Sequence, residues 1–165
     1  MKWVVVGIGL VVVAGAVWVM LPTEEKRILS RLESLAEAAS LESDESPIDR
    51  VARGARIAAY FTEQARINLG APFTAIEGRD ALTSLLTALR VPDGGVNVTF
   101  VEATINFDRR LLIASGRLVA RATSQASPVE AVYGVRPLDV ALRQIEGDWL
   151  VDDLRAVDDA EWETP

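Results

Sequence analysis

The chain of 165 residues contains no cysteine and no histidine. Without cysteine there are no disulfides, no thiolate metal sites and no thiol nucleophile, and the redox compartment stays open. Without histidine, the commonest general base near neutral pH and the commonest transition-metal ligand are both missing. Any catalysis has to rest on carboxylates, serines, arginines, or the two tyrosines, Tyr60 and Tyr133. Lysine is scarce too: fifteen of the seventeen basic residues are arginine, which reflects a GC-rich genome more than a mechanism.

Positive charge as a whole is in deficit. The formal net charge is −7, and residues 1–22 hold one lysine and no acid, so the rest of the chain carries −8. A phosphate backbone wants a basic face, so nucleic acid is excluded as a partner. The same balance argues against a domain lying flat on anionic lipid.

Apolar sequence, in contrast, is concentrated at the N-terminus. Trp3 to Leu21 (WVVVGIGLVVVAGAVWVML) is nineteen residues long with no charged or amide side chain. As a helix it would run ~28 Å, close to the ~30 Å hydrocarbon core of a bilayer. Met1-Lys2 and the small residues Ala14-Gly15-Ala16 also fit a cleaved signal peptide. However, apolar sequence continues through Val17 to Leu21, where a cleaved precursor usually turns polar. Trp3 and Trp18 sit near the two ends, as interfacial anchors do. The expectation is therefore an uncleaved single-pass anchor in the plasma (inner) membrane, with Trp3, Trp18 and Leu21 at its borders. Membrane lipid is its partner, and the soluble domain lies on the periplasmic side. Gly7 and Gly15 allow close helix contact without forming a G-x-x-x-G pattern.

After Pro22 the periodicity becomes that of a folded domain. Thr23 is placed to cap a helix carrying Glu24 and Glu25 in its first turn, with Ile28, Leu32, Leu35 and Ala39 at helical spacing. Ser46-Pro47 starts a second helix, with Asp49 four residues before Arg53. Ile48, Val51, Ala55, Ala58 and Phe61 give that helix an apolar face, and Arg50, Arg53 and Arg56 a solvated one. Short strands follow at 66–69 and 73–76. Arg79 to Arg90 reads as a third helix, stopped by Val91-Pro92-Asp93-Gly94-Gly95.

From Val96 the period is two. Strands are expected at 96–107, 111–123, 129–145 and 149–157, joined by turns at Asp108-Arg109-Arg110, Ser124 to Pro128 and Glu146-Gly147-Asp148. In the first of them the apolar set switches from Val96, Val98 and Phe100 to Val101, Ala103, Ile105 and Phe107, which demands a bulge. Pro137 inside the third asks for an edge or a bulge. The domain plan is an anchor over 1–22, an α+β domain over 23–158 and an acidic tail over 159–165.

Two phrases in this order carry a resemblance. Glu77 to Leu82 (EGRDAL) looks like the entry to the third helix of the nuclear transport factor 2-like superfamily, and Leu142 to Val151 (LRQIEGDWLV) looks like its closing hairpin. The resemblance spans about residues 24–158. It implies an α+β cone: three helices packed on a strongly curved, mainly antiparallel sheet, often around a conical pocket, with frequent dimerisation through the sheet. The superfamily includes SnoaL-like cyclases, isomerases and dehydratases as well as non-catalytic protein-binding members, so fold does not fix function. Its enzymes use an Asp or Asp–His pair, often with a Tyr, and the missing histidine removes one of those patterns.

The catalytic candidates are Glu102, placed where the strand changes face, with Tyr133 as donor and Arg117, which shares a strand face with Arg121, as anion anchor. A carboxylate in an apolar cone would have a raised pKa and serve as acid or base. The plainer reading has these residues pairing across an exposed sheet face. The acids Asp152, Asp153, Asp158, Asp159, Glu161 and Glu163 lack calcium-loop spacing, so no metal and no cofactor are expected. The leading reading is a membrane-anchored, non-enzymatic interaction module of the cell envelope, with a homodimer or an envelope protein as partner. The alternative is a small-molecule lyase, isomerase or hydrolase with a carboxylate–Tyr site in the cone.

Overall fold

The computed structural model describes residues 23–42, 45–70, 74–89, 95–124 and 132–157. The apolar segment with Trp3, Trp18 and Leu21 and the tail 159–165 lie outside the described residues. Among the described residues, no helix is long and apolar enough to cross a membrane.

Helix α1, Glu24–Ala39, begins at Thr23, whose hydroxyl accepts the Lys26 N–H while Glu24 and Glu25 sit against the positive end of the helix dipole. Of its predicted stripe, Ile28, Leu32 and Leu35 are buried, with Ala36 beside them, while Ala39 is only half-buried. Helix α2, Pro47–Ala58, is capped by Ser46, whose hydroxyl accepts the Asp49 N–H at 3.2 Å, with proline at the first turn. Phe61 does not belong to this helix; it opens strand β1, Phe61–Asn68. The two-residue strand β2, Ile76–Glu77, leads through Gly78 into helix α3, Arg79–Ala88. Gly78 has φ 87°, a conformation that a side chain would strain, and its N–H donates to the Ala65 carbonyl at 2.8 Å. The Arg79 guanidinium donates to the Phe61 carbonyl. The glycine–arginine pair thus ties the start of α3 to β1.

Four long strands follow: β3, Val96–Asp108; β4, Ile113–Ser124; β5, Val132–Ile145; β6, Asp148–Ala156. The sheet order is β2-β1-β6-β5-β4-β3, antiparallel throughout except for the parallel β1–β6 pair. The expected bulge in β3 is present: the register shifts between Phe100 and Glu102, leaving Val101 as the extra residue. Pro137 lies where β6 runs out, and its carbonyl accepts the Val157 N–H at 3.0 Å. A strand residue points its N and C=O to the same side, so the missing N–H faces the end of β6 and leaves the β4–β5 ladder intact.

One face of the sheet meets the helices. Ile28, Leu32 and Leu35 from α1, Ile57 from α2 and Leu82 from α3 pack against Ile105, Leu118, Leu138, Val140, Leu142, Trp149, Val151 and Leu154. Gly54 lets α3 approach α2 closely, since a Cβ there would sit 3.2 Å from Thr87 Oγ1 and 3.5 Å from the Thr83 carbonyl.

Candidate functional site

The concave side of the sheet is where a cone pocket would open. Here it is occupied by the branched side chains just named, with Ile28 and Leu118 fully buried and Phe100 and Leu86 packed against their edge. The hollows described below lie elsewhere.

Residues directly opposite in antiparallel strands share a face. Glu102 lies opposite Val119, and Arg117 lies opposite Thr104 on one side and Asp139 on the other. The bulge therefore turns Glu102 to the outer face of the sheet, away from the helices, where it is exposed. Arg117 is its diagonal neighbour on that face, and its Nε donates to Asp139 Oδ1 at 3.0 Å. Tyr133 stands at a register shift near the start of β5, and its side chain is outside the described residues. It is six positions from Asp139, about 20 Å along a strand, so Tyr133 and Arg117 are not brought together. The placement of Glu102 inside the cone fails because the extra residue, Val101, reverses which neighbours point inward.

The outer face is a lattice of opposite charges. Arg66 and Arg155 both contact Asp153, at 3.4 and 3.0 Å, and Arg143 meets Asp152 at 3.0 Å. Asp152 also accepts the Thr62 hydroxyl at 2.8 Å. A hollow of about 710 Å³ opens over this lattice, lined by Arg66, Glu77, Ser115, Asp139, Asp153 and Arg155. Each of its aspartates already has an arginine, and the arginines are largely exposed, so each pair adds little to stability. No group of acids able to hold a metal ion is found among the described residues.

Helix α2 differs most from its sequence reading. Ile48 and Val51 are 80% and 53% exposed, and Ala55 is exposed beside them. The buried positions are Arg53, Gly54, Ile57 and Ala58. Arg53, expected on a solvated face, is only 3% exposed. Its Nε donates to Glu45 Oε2 at 2.8 Å, not to Asp49, whose carboxylate accepts the Ser46 hydroxyl. Neither Nη atom of Arg53 has a hydrogen-bond partner. Arg53 forms the floor of a hollow of about 610 Å³ between α1 and α2, whose rim carries Glu37, Glu42, Glu45, Asp49, Arg56 and Tyr60. The sequence signal was Gly54: a mid-helix glycine marks close packing, and here it turns the helix so that the arginine beside it goes in.

The N-terminus of α1 meets the closing hairpin. The Trp149 indole donates to Glu24 Oε2 at 3.0 Å, and Arg27 bridges to Glu24 Oε1 and to the Gly147 carbonyl. The Glu24 carboxyl is held below its ordinary pKa chiefly by the Trp149 hydrogen bond; burial acts the other way, and Arg27 and Arg109 add to the lowering.

No family model and no curated protein matches the sequence. Solved structures do. A nuclear transport factor 2-like protein with a cystatin-like fold from Novosphingobium aromaticivorans matches with TM-score 0.59 at 15% identity, covering 89% of each chain. The fold is nuclear transport factor 2-like. A nuclear transport factor 2-like protein of unknown function from Pseudomonas putida gives TM-score 0.61 at 15% identity, over 81% of this chain and 84% of that one. A cystatin-like-fold protein of unknown function from Nostoc punctiforme gives 0.62 at 12% identity, over 80% and 88%. At these identities the likeness is one of fold.

Proposed function

We propose that the chain is a membrane-tethered, non-enzymatic binding module: residues 1–22 hold it in the plasma membrane, and the nuclear transport factor 2-like domain docks an envelope protein from the periplasmic side. The filled cone carries this reading. The enzymes of this fold class hold substrate on the concave face, and there Leu118, Leu138, Leu142 and Trp149 join one buried core with the apolar residues of the helices. Glu102 and Arg117 lie outside that interior, and Arg117 is taken up by Asp139. What the domain offers outward is apolar surface on α2, at Ile48, Val51 and Ala55, with exposed Leu85 on the neighbouring α3. A monomer gains nothing by exposing such a helix stripe, whereas a partner surface would bury it. Tethering raises the local concentration of a weak docking face. A second copy of the chain is the competing occupant of this stripe.

The test is purification of the full chain from detergent-solubilised membranes beside an Ile48→Glu/Val51→Glu variant. A partner, or a second copy, should accompany the native chain in stoichiometric yield and be lost from the variant, with the thermal midpoints alike. Identical recovery from both would remove α2 as the docking face. Recovery of the native chain from the soluble fraction without detergent would remove the tether.

A further inference from the structure

The two turns at one end of the sheet, between β3 and β4 and between β5 and β6, lie beside the start of α1. Arg27 reaches the Gly147 carbonyl, Trp149 reaches Glu24, and the Leu112 carbonyl accepts the Gln144 N–H at 2.8 Å. The sequence reading places Leu111 in strand β4. Instead the turn runs from Arg109 through Leu112, and the ladder resumes at Ile113 opposite Asp108. Leu111 and Leu112 are 65% and 46% exposed, with exposed Phe107, Ile113 and Ile145 around them. Asp108 fixes the turn by accepting the N–H groups of Arg110 and Leu111 at 2.8 and 3.1 Å. Leu112 is held at φ 54°, where glycine or asparagine is usual. Arg109 and Arg110 make no ion pair among the described residues. A strained turn that presents two leucines to solvent beside two arginines outside any direct ion pair, Arg109 acting on Glu24 only at longer range, has the composition of an interfacial membrane contact.

Chain length says what lies opposite it. Three Cα steps separate Leu21 from Glu24, at most ~11 Å. The headgroup layer on each side of a bilayer is about 5–8 Å thick. With residues 3–21 in the membrane, the end of the domain holding Glu24 therefore stands at the headgroups, and the β3–β4 turn stands with it. We infer that the Arg109–Leu112 turn dips into the lipid surface, its leucines entering the acyl boundary and its arginines meeting anionic headgroups, so that the domain is fixed to the membrane at two points. The inference rests on the tether reading.

Because the chain has no cysteine, a single substitution gives a unique label site. Full-length Leu111→Cys and Thr99→Cys, the latter toward the other end of β3, are each coupled to an environment-sensitive fluorophore. Both are reconstituted in vesicles of phosphatidylcholine and phosphatidylglycerol, with and without bromine on the lipid acyl chains. The expected result is flotation of both, with bromine quenching several-fold stronger at position 111 than at position 99, and weakened by Arg109→Glu/Arg110→Glu. Flotation with equal quenching at the two positions overturns the inference and leaves the tether standing. Shielding of position 111 from aqueous iodide without bromine quenching also overturns it, because a protein surface then covers the turn. Failure to float removes tether and inference together.

Discussion

Arg53 is the residue whose burial matters most. Its guanidinium is paired with Glu45 on one side and unpartnered at both Nη atoms, an arrangement costly in desolvation. The two partners are unequal, since Glu45 lies nearer the surface. Glu45→Ala strands a buried cation and should lower the unfolding free energy by about 3 kcal/mol in a urea titration. Arg53→Met should cost under about 1 kcal/mol, or stabilise, because a thioether fills the same volume without desolvation. Glu24 gives the pH signature. Its folded pKa lies below the unfolded value, so its contribution is fully present above about pH 4.3 and is lost as pH falls through the folded value. In Trp149→Phe the principal cause of the lowering is gone, and the acid limb of a plot of thermal midpoint against pH should be shallower. Glu102→Gln, on an exposed face, should change stability by less than about 0.5 kcal/mol.

Elements respond to different rules. At Gly116 of β4 a Cβ would stand 2.1 Å from the Thr104 carbonyl and 2.7 Å from Ile105 Cδ1, both in β3. Because the first of these is backbone, Gly116→Ala must open the β3–β4 ladder. It should cost about 1–3 kcal/mol and increase amide exchange along both strands. Ser46→Ala removes the cap of α2 and should cost about 1 kcal/mol by the same titration. The apolar residues of α2 were legible, but the side on which they lie was not. Ile48, Val51 and Ala55 form as regular a stripe as the buried set, and only contact with α3 through Gly54 turns that stripe outward.

For the whole molecule, the closed core sets stability. Leu118 is fully buried in the core between helices and sheet, and Leu118→Ala should cost about 2–5 kcal/mol. If the emptied space admits solvent or small apolar ligands, the midpoint of Leu118→Ala should rise with added hydrophobic ligand while that of the native chain does not. In contrast, the outer sheet face can lose any one of its arginine–aspartate pairs for little. Arg117→Ala should leave the denaturation midpoint nearly unchanged.

The sequence by itself determined the α+β class, the three helices and four long strands, the caps at Thr23 and Ser46, the β3 bulge and the Glu146-Gly147 turn. Each follows from periodicity or from a residue's own backbone preference, which are local properties. Only the tertiary structure decided that the cone is filled, that Glu102 faces outward, that Arg53 is buried, and that Leu111 and Leu112 cap a turn instead of extending a strand. Those outcomes depend on which face of an element finds a partner. In β3 the change of apolar pattern announces a bulge but not which residue is the extra one, and it is the pairing that makes Val101 the extra residue and sends Glu102 outward.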